Sequence, residues 1–260
     1  MSVDWRFLWR GAAIFLLLAL PACTGPQISG EPFETGNRLY EAGQFVDAAA
    51  AYQSLVDGGV ADGALYYNLG NAYLKSGDLG RAVLNYRRAQ QLLPRDPDVA
   101  LNLRLARAQA QDRLEDETPG GLVGLARRVL VEGTTLNEAA VLALGLWVVG
   151  CGLVIAAMLR PRLRPVLTYA LIATAVLLVL SVFSVGARLL DERHPPAVIV
   201  APSVEAHSGP GPDYLTEFTL HTGAEVRIIE ERAGWMRIAL PGDLQGWVPE
   251  AAVEALAHGR

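Results

Sequence analysis

The sequence predicts a multidomain chain that combines a stack of all-α helical repeats, a transmembrane α-hairpin and a small all-β barrel. Three observations predict this class. A 34-residue repeat fills the first half of the chain, two uncharged apolar blocks lie in its middle, and short alternating segments separated by turn residues follow. Because each pattern is typical of a different local structure, we expect three different kinds of element along the chain.

The first 23 residues have the pattern of an export signal. A basic amino-terminal region with Arg6 and Arg10 precedes an apolar run at residues 11–20. The sequence Leu20-Pro21-Ala22-Cys23 then resembles the lipobox of bacterial lipoproteins. Three outcomes stay open for this segment: lipidation of Cys23, ordinary cleavage after Ala22, or an uncleaved anchor.

The 34-residue repeat extends over residues 31–113. Gly36-Asn37 recurs as Gly70-Asn71, and Asn68-Leu69 recurs as Asn102-Leu103. In the unit that starts at residue 63, eight small, aromatic or apolar positions match one known pattern: Tyr66, Leu69, Gly70, Tyr73, Ala82, Tyr86, Ala89 and Pro94. That pattern resembles the tetratricopeptide repeat, in which two helices per unit stack on their neighbours. A weaker unit at 29–62 precedes it, and a capping helix is predicted at 97–113.

The resemblance to tetratricopeptide repeats implies a groove that holds a segment of another protein. By position, the groove residues are Phe33, Asn37, Tyr40, Tyr67, Asn68, Asn71 and Asn102. Asn37 and Asn68 resemble the asparagines that clamp a carboxyl terminus in some of these domains. The basic residues of that clamp are absent, since Phe33, Asp98 and Asn102 stand in their places. An extended or helical segment is therefore the expected ligand, rather than a chain end.

Two apolar blocks, 139–159 and 166–187, contain no charged residue and predict two transmembrane helices within residues 138–190. The loop between them, 160–165, carries three arginines and should face the cytoplasm. Both soluble segments would then lie in the periplasm, on the outer side of a bacterial inner membrane, in agreement with the export signal. The sequence of residues 114–137 predicts an amphipathic connector, which either lies on the lipid bilayer or packs under the repeats.

Residues 197–256 show short alternating strands that resemble the bacterial SH3-like domain. The resemblance rests on Ser208-Gly209-Pro210, Gly223-Ala224-Glu225-Val226, Gly234-Trp235 and Gly246-Trp247-Val248. It implies binding of cell-wall peptides or protein segments through aromatic side chains, for which Tyr214, Trp235 and Trp247 are the candidates. Packing in the core is the favoured alternative for Trp247.

Charge and residue spacing argue against several functions. Residues 31–118 and 197–260 have net charges of −4 and −5, so nucleic acid is not an expected partner. The four histidines and two cysteines show no spacing typical of metal ligands or of an activated nucleophile. We therefore expect a protein that is not an enzyme and that binds no metal and no cofactor.

The order of signal, tetratricopeptide repeats, two-helix hairpin and SH3-like domain resembles the BatE-like proteins, which are encoded with the Bat aerotolerance proteins of bacteria. The resemblance implies membrane partners with von Willebrand factor A domains and a MoxR-type ATPase on the cytoplasmic side. The expected function is an inner-membrane protein-interaction scaffold of an aerotolerance or envelope-stress complex. The alternative is a membrane anchor whose SH3-like domain binds the stem peptides of peptidoglycan.

Overall fold

The computed structural model describes residues 31–112, 133–191, 195–242 and 244–256. Its first five helices are α1 (Glu31–Glu41), α2 (Phe45–Asp57), α3 (Gly63–Ser76), α4 (Leu79–Leu92) and α5 (Pro97–Gln109). Two long helices follow, α6 (Leu136–Leu159) and α7 (Arg164–Asp191), separated by a 3₁₀ turn at Pro161–Leu163. The predicted signal at 1–23, with Cys23, lies outside the described residues, as does most of the predicted connector at 114–137.

Side-chain caps define where the repeat helices begin. Asp62 accepts hydrogen bonds from the backbone N–H groups of Ala64 and Leu65, and Asp96 caps α5 in the same way. These carboxylates satisfy N–H groups that have no partner inside the helix. At the other end of α3, Gly77 adopts a φ of +90°, a left-handed conformation that favours glycine and ends the helix.

The five repeat helices pack around fully buried apolar side chains, among them Leu65, Leu69, Leu84 and Leu103. Neighbouring helices in the sequence are also neighbours in space, from α1 on α2 through to α4 on α5. This arrangement confirms the predicted stack of helical repeats, in which each unit buries its apolar face against the next.

Helices α6 and α7 are long and apolar enough to cross a membrane, with a mean hydropathy of 2.5 in each. They pack on each other, and the Ser181 hydroxyl donates a 3.0 Å hydrogen bond to the Ala139 carbonyl. Their outward side chains are apolar and exposed, as Leu144 and Phe183 illustrate. Since soluble helices of this hydropathy would be buried, the exposed apolar surface is consistent with a lipid environment.

The remaining residues form a small antiparallel all-β domain, here called the β domain. Its strands are β1 (Pro196–Ile199), β2 (Ser203–His207), β3 (Thr216–His221), β4 (Glu225–Arg232), β5 (Trp235–Ala239), β6 (Gln245–Pro249) and β7 (Val253–Ala255). They are ordered β3-β2-β6-β5-β4-β1-β7, and every pairing is antiparallel. Alternate side chains such as Val226, Ile228 and Ile238 form its core.

Candidate functional site

A cavity of about 100 Å³ opens on the surface of the first repeat, between α1, α2 and α3. It is lined by Asn37, Tyr40, Glu41, Tyr52, Asn68 and Asn71. Four of these residues, the three asparagines and Tyr40, were predicted from sequence as groove residues. Glu41 and Tyr52 were not.

Two glycines explain how tyrosine rings reach the asparagines of the groove. A Cβ atom added to Gly36 would lie 2.4 Å from a ring atom of Tyr52, and one added to Gly70 would lie 2.8 Å from the ring of Tyr86. The absence of a side chain at each glycine therefore lets a ring from the second helix of the unit lie against the first helix. The hydroxyl group then reaches the asparagine that follows the glycine.

The same hydrogen-bond network occurs twice, 34 residues apart. In the first copy, the Tyr52 hydroxyl donates to Asn37 Oδ1 at 2.7 Å, and Asn68 Nδ2 donates to the same oxygen at 3.4 Å. In the second copy, the hydroxyl of Tyr86 donates to Asn71 Oδ1 at 2.7 Å, and Nδ2 of Asn102 donates to that oxygen at 3.0 Å. We call these six atoms and their residues the carboxamide network.

The carboxamide network holds the asparagine side chains in one orientation. Burial raises the pKa of Tyr52 to about 12, with smaller contributions from nearby Tyr40, Glu41 and Glu34, so the phenol stays protonated and donates at neutral pH. Both lone pairs of Asn37 Oδ1 are occupied, and within the described residues the Nδ2 group of Asn37 makes no hydrogen bond. The network thereby leaves amide donors at Asn37 and Asn71, and carbonyl acceptors at Asn68 and Asn102, for a ligand.

The other predicted groove residues form aromatic contacts beside this network. The Phe33 ring lies 5.8 Å from the ring of Tyr52, and the Tyr67 ring lies 6.1 Å from that of Tyr86. The Tyr67 hydroxyl also accepts a 3.0 Å hydrogen bond from Asn102 Nδ2. The structure thus brings four of the seven predicted residues to the cavity, joins Tyr67 and Asn102 to the second copy of the network, and packs Phe33 against Tyr52.

The predicted ligand surface of the β domain is only partly accessible. Tyr214 is 52% exposed and Trp235 is half-buried, whereas Trp247 is buried and offers little surface to a ligand. His207 contacts both Tyr214 and Trp235. Its Nδ1 is 3.0 Å from the Tyr214 carbonyl oxygen, and its ring packs edge-on against Trp235. Tyr214 and Trp235 therefore remain the candidates on this surface.

The β domain packs on α4 and α5, an interface that sequence reasoning missed. Arg88, only 7% exposed, donates from Nε to the Leu256 carbonyl at 3.0 Å and from a terminal nitrogen to the Ala255 carbonyl at 2.9 Å. Val198 and Leu256 share a buried apolar cluster with residues of α4 and α5. Because β7 is the last strand of the sheet, Arg88 satisfies backbone groups that would otherwise be open at this edge.

A second contact joins the two domains through Glu225. Its carboxylate accepts two hydrogen bonds from the Arg107 guanidinium, and Arg87 Nε lies 3.0 Å away in an ion pair. Burial disfavours the charged carboxylate, but the Arg107 hydrogen bonds and the charges of both arginines outweigh it and lower the pKa of Glu225. Nearby, Asp112 accepts from the backbone N–H of His221 and faces its ring at 3.2 Å.

Arg95 joins the repeats to the start of α6, the first of the two long apolar helices. It donates to the Gly133 carbonyl at 3.0 Å and pairs with Glu138 at 2.8 Å. Glu138 also completes a capping box with Thr135 at the start of α6. The repeats are therefore held at the beginning of α6. The cavity-lining helices α1, α2 and α3 take no part in the contacts made by Arg95, Arg88 or Glu225.

Comparison with protein families agrees with the central part of this description. Residues 63–96 match the tetratricopeptide repeat, a family of non-catalytic units that mediate contacts between proteins. No curated protein matches the chain. The matched range contains α3 and α4, and with them Tyr67, Asn68 and Asn71 of the predicted groove and Tyr86 of the carboxamide network. At residues 63–96, then, the chain carries a tetratricopeptide repeat.

Proposed function

We propose that this protein is a membrane-anchored scaffold whose groove holds an extended segment of a partner protein beside the bilayer. The observation that carries the proposal is the carboxamide network, which recurs with the 34-residue period and leaves paired donors and acceptors on an open surface. Such a surface suits the alternating N–H and C=O groups of an extended main chain.

The contact between the β domain and the repeats supports a specific topology. The chain leaves the repeats, passes through α6 and α7, and returns in the β domain, which contacts α4 through Arg88. If α6 and α7 cross the bilayer, both soluble domains must lie on the same side of it. We place both in the periplasm of a bacterial inner membrane, with loop 160–165 in the cytoplasm, because three arginines occupy that loop.

The proposed partners are membrane proteins with von Willebrand factor A domains, in a Bat-type aerotolerance or envelope-stress complex. The support is the domain order, with tetratricopeptide repeats at 31–113, the hairpin at 138–190 and the SH3-like domain at 197–256. Arg95 holds the repeat helices next to the start of α6, so a partner segment in the groove would lie close to the membrane.

Loss of partner capture in a groove variant tests the scaffold proposal. Replacement of Tyr67 and Asn71 together by alanine removes ring surface and the amide donor of Asn71. We expect the affinity-tagged variant, purified from native membranes, to lose partners that the parent retains. The matched control is Gln53→Ala together with Ser54→Ala on α2, outside the cavity lining. Equal recovery of partners by the groove variant would contradict the proposal.

The alternative function, a peptidoglycan-binding anchor, is favoured by the exposed aromatic surface of the β domain. Tyr214 is 52% exposed, the adjacent Leu215 is 80% exposed, and Trp235 lies beside them across His207. The anchor proposal predicts that the whole protein in detergent sediments with purified sacculi and that Tyr214→Ala with Trp235→Ala abolishes this. Absence of sedimentation for the parent protein would remove the alternative.

A further inference from the structure

We propose that the segment bound in the groove is cationic and carries its lysine or arginine residues at the first-repeat end. The inference rests on the proposed function of the groove and adds the chemistry and the direction of the ligand. It is carried by two carboxylates beside the carboxamide network, Glu34 and Glu41, which the sequence reasoning did not assign to any role.

Glu34 and Glu41 flank Asn37 on one face of α1. Their spacings of three and four residues from Asn37 place all three side chains along one stripe of the helix. Glu41 lines the cavity, and both carboxylates are close enough to the phenol of Tyr52 to contribute to its raised pKa. The acidic charge is therefore part of the same surface as the cavity.

Nothing in the described part of the chain neutralises these two carboxylates. Both are exposed, and neither forms an ion pair with a described lysine, arginine or histidine. Arg38 lies on the same helix but donates to the Thr35 hydroxyl at 3.0 Å. A cationic ligand residue would thus meet two carboxylates without first displacing an internal partner.

The charge of the groove changes along the repeats, and this change gives the ligand a direction. One period further on, Asn68 stands where Glu34 stands in the first repeat, and Lys75 stands where Glu41 stands. The acidic pair is therefore confined to the first-repeat end. A positively charged ligand residue is favoured beside the acidic pair and disfavoured beside Lys75. The charges therefore select the orientation of the ligand, while main-chain contacts supply most of its affinity.

The experiment is a selection of random ten-residue peptides displayed on phage, using the full chain in lipid nanodiscs. Three variants are compared with the parent: Glu34→Gln with Glu41→Gln, Glu31→Gln as a charge control on the same helix, and Asn37→Ala with Asn71→Ala. The readouts are total phage recovery and the ratio of Lys and Arg to Asp and Glu in the recovered peptides. Glu31 is not among the cavity-lining residues.

We expect selection on the parent to raise the ratio of Lys and Arg to Asp and Glu in the recovered peptides by about three-fold or more. Exposed ion pairs of ordinary strength favour binding by about that factor. The enrichment should vanish for the Glu34/Glu41 variant and persist for Glu31→Gln, and total recovery should fall for the Asn37/Asn71 variant. Recovery that depends on the asparagines but shows no cationic enrichment would overturn this inference alone. Recovery that is unaffected by the asparagine substitutions would overturn both the inference and the proposed function.

Discussion

Single hydroxyl groups decide how the groove presents its polar atoms. Burial raises the pKa of Tyr86, with smaller contributions from Tyr67 and Tyr40, so its phenol is protonated throughout the physiological range. It therefore donates to Asn71 and fixes which end of that carboxamide faces a ligand. Tyr52 does the same for Asn37 one period earlier.

At the residue scale, Tyr86→Phe tests the carboxamide network. The substitution keeps the ring but removes the donor to Asn71, and a lost buried hydrogen bond of this kind costs about 1 kcal/mol of unfolding free energy. We expect a lower denaturation midpoint and weaker peptide binding. The control is Tyr169→Phe on α7, where the side chain is 76% exposed. Unchanged stability together with unchanged binding would contradict the role given to this hydroxyl.

At the residue level, the sequence predicted the positions of the asparagines but not the hydrogen bonds around them. The 34-residue period placed Asn37, Asn68, Asn71 and Asn102 on one surface, and the structure brings them together there. The hydrogen bonds that Tyr52 and Tyr86 make were not predicted. Their spacing of 15 residues from an asparagine in both units is the signal that could have predicted the hydrogen bonds.

At the element scale, α4 is the central helix of the soluble part. One side of it contacts α3 and α5, and another packs against β1 of the β domain. Eight of its fourteen residues are buried, which is unusual for a helix with three arginines. Those arginines look like a solvated surface in the sequence, but Arg81, Arg87 and Arg88 all bind carboxylates or carbonyls of the β domain.

Gly80 on α4 offers a direct test of that packing. A Cβ atom at this position would lie 2.7 Å from the Ile199 carbonyl oxygen and 2.8 Å from the Val200 Cα. Alanine normally stabilises a helix by about 1 kcal/mol relative to glycine, whereas here we expect Gly80→Ala to loosen the contact with β1. Hydrogen exchange measures the result as faster exchange in β1 and β7.

The control for this change is Gly145→Ala on α6, where nothing lies within 4 Å of the added atom. It should leave exchange in β1 and β7 unaltered. If Gly80→Ala also leaves that exchange unaltered, the contact between α4 and the β domain is not as the structure describes it.

The class of each element was predictable, but the contact between domains was not. Periodicity of 34 residues predicted α1 to α5, uncharged length predicted α6 and α7, and alternation predicted the β domain. Periodicity identifies which face of an element is apolar, not which distant surface will cover it. The pair Arg107–Glu225 joins residues 118 positions apart, and neither residue has a local pattern that distinguishes it from a solvated charge.

At the scale of the whole molecule, the pKa of Glu225 makes the domain interface sensitive to acid. Its pKa in the folded protein is lowered from 4.5, so its contribution to stability is present above about pH 4.5 and is lost as pH falls through the lowered value. Asp112, His221 and Glu254 also lie at this interface. The informative quantity is therefore the difference in β7 hydrogen exchange between the parent and Glu225→Gln.

We expect the protection of β7 amides in the parent, after correction for the pH dependence of intrinsic exchange, to fall as pH drops below 4.5, because protonation of Glu225 removes its ion pairs. Glu225→Gln should already exchange faster at pH 7, and the gap between the two proteins should close as pH falls. Hydrogen exchange by mass spectrometry from pH 3.5 to 7 measures this. A constant gap across the range would contradict the assigned role of the carboxylate.

The proposed topology predicts which positions are reachable from outside the cell. Ser54→Cys on α2 and Ser208→Cys in the β domain should react with a membrane-impermeant maleimide in cells with a permeabilised outer membrane. Arg162→Cys, between α6 and α7, should react only after lysis. The parent, which retains Cys23 and Cys151, supplies the background. Labelling of Ser54→Cys and Ser208→Cys in opposite compartments would contradict the contact between the two domains.

The central claim is that the groove holds a partner segment beside the membrane, and photo-crosslinking from Tyr40 in native membranes tests it most directly. Tyr40 lines the cavity next to Asn37, and the control crosslinker replaces Leu215 on the β domain. We expect Tyr40 to crosslink to a membrane protein, through a peptide with lysine or arginine, and Asn71→Ala to abolish the product. Crosslinks from Leu215 to peptidoglycan, with none from Tyr40, would contradict it.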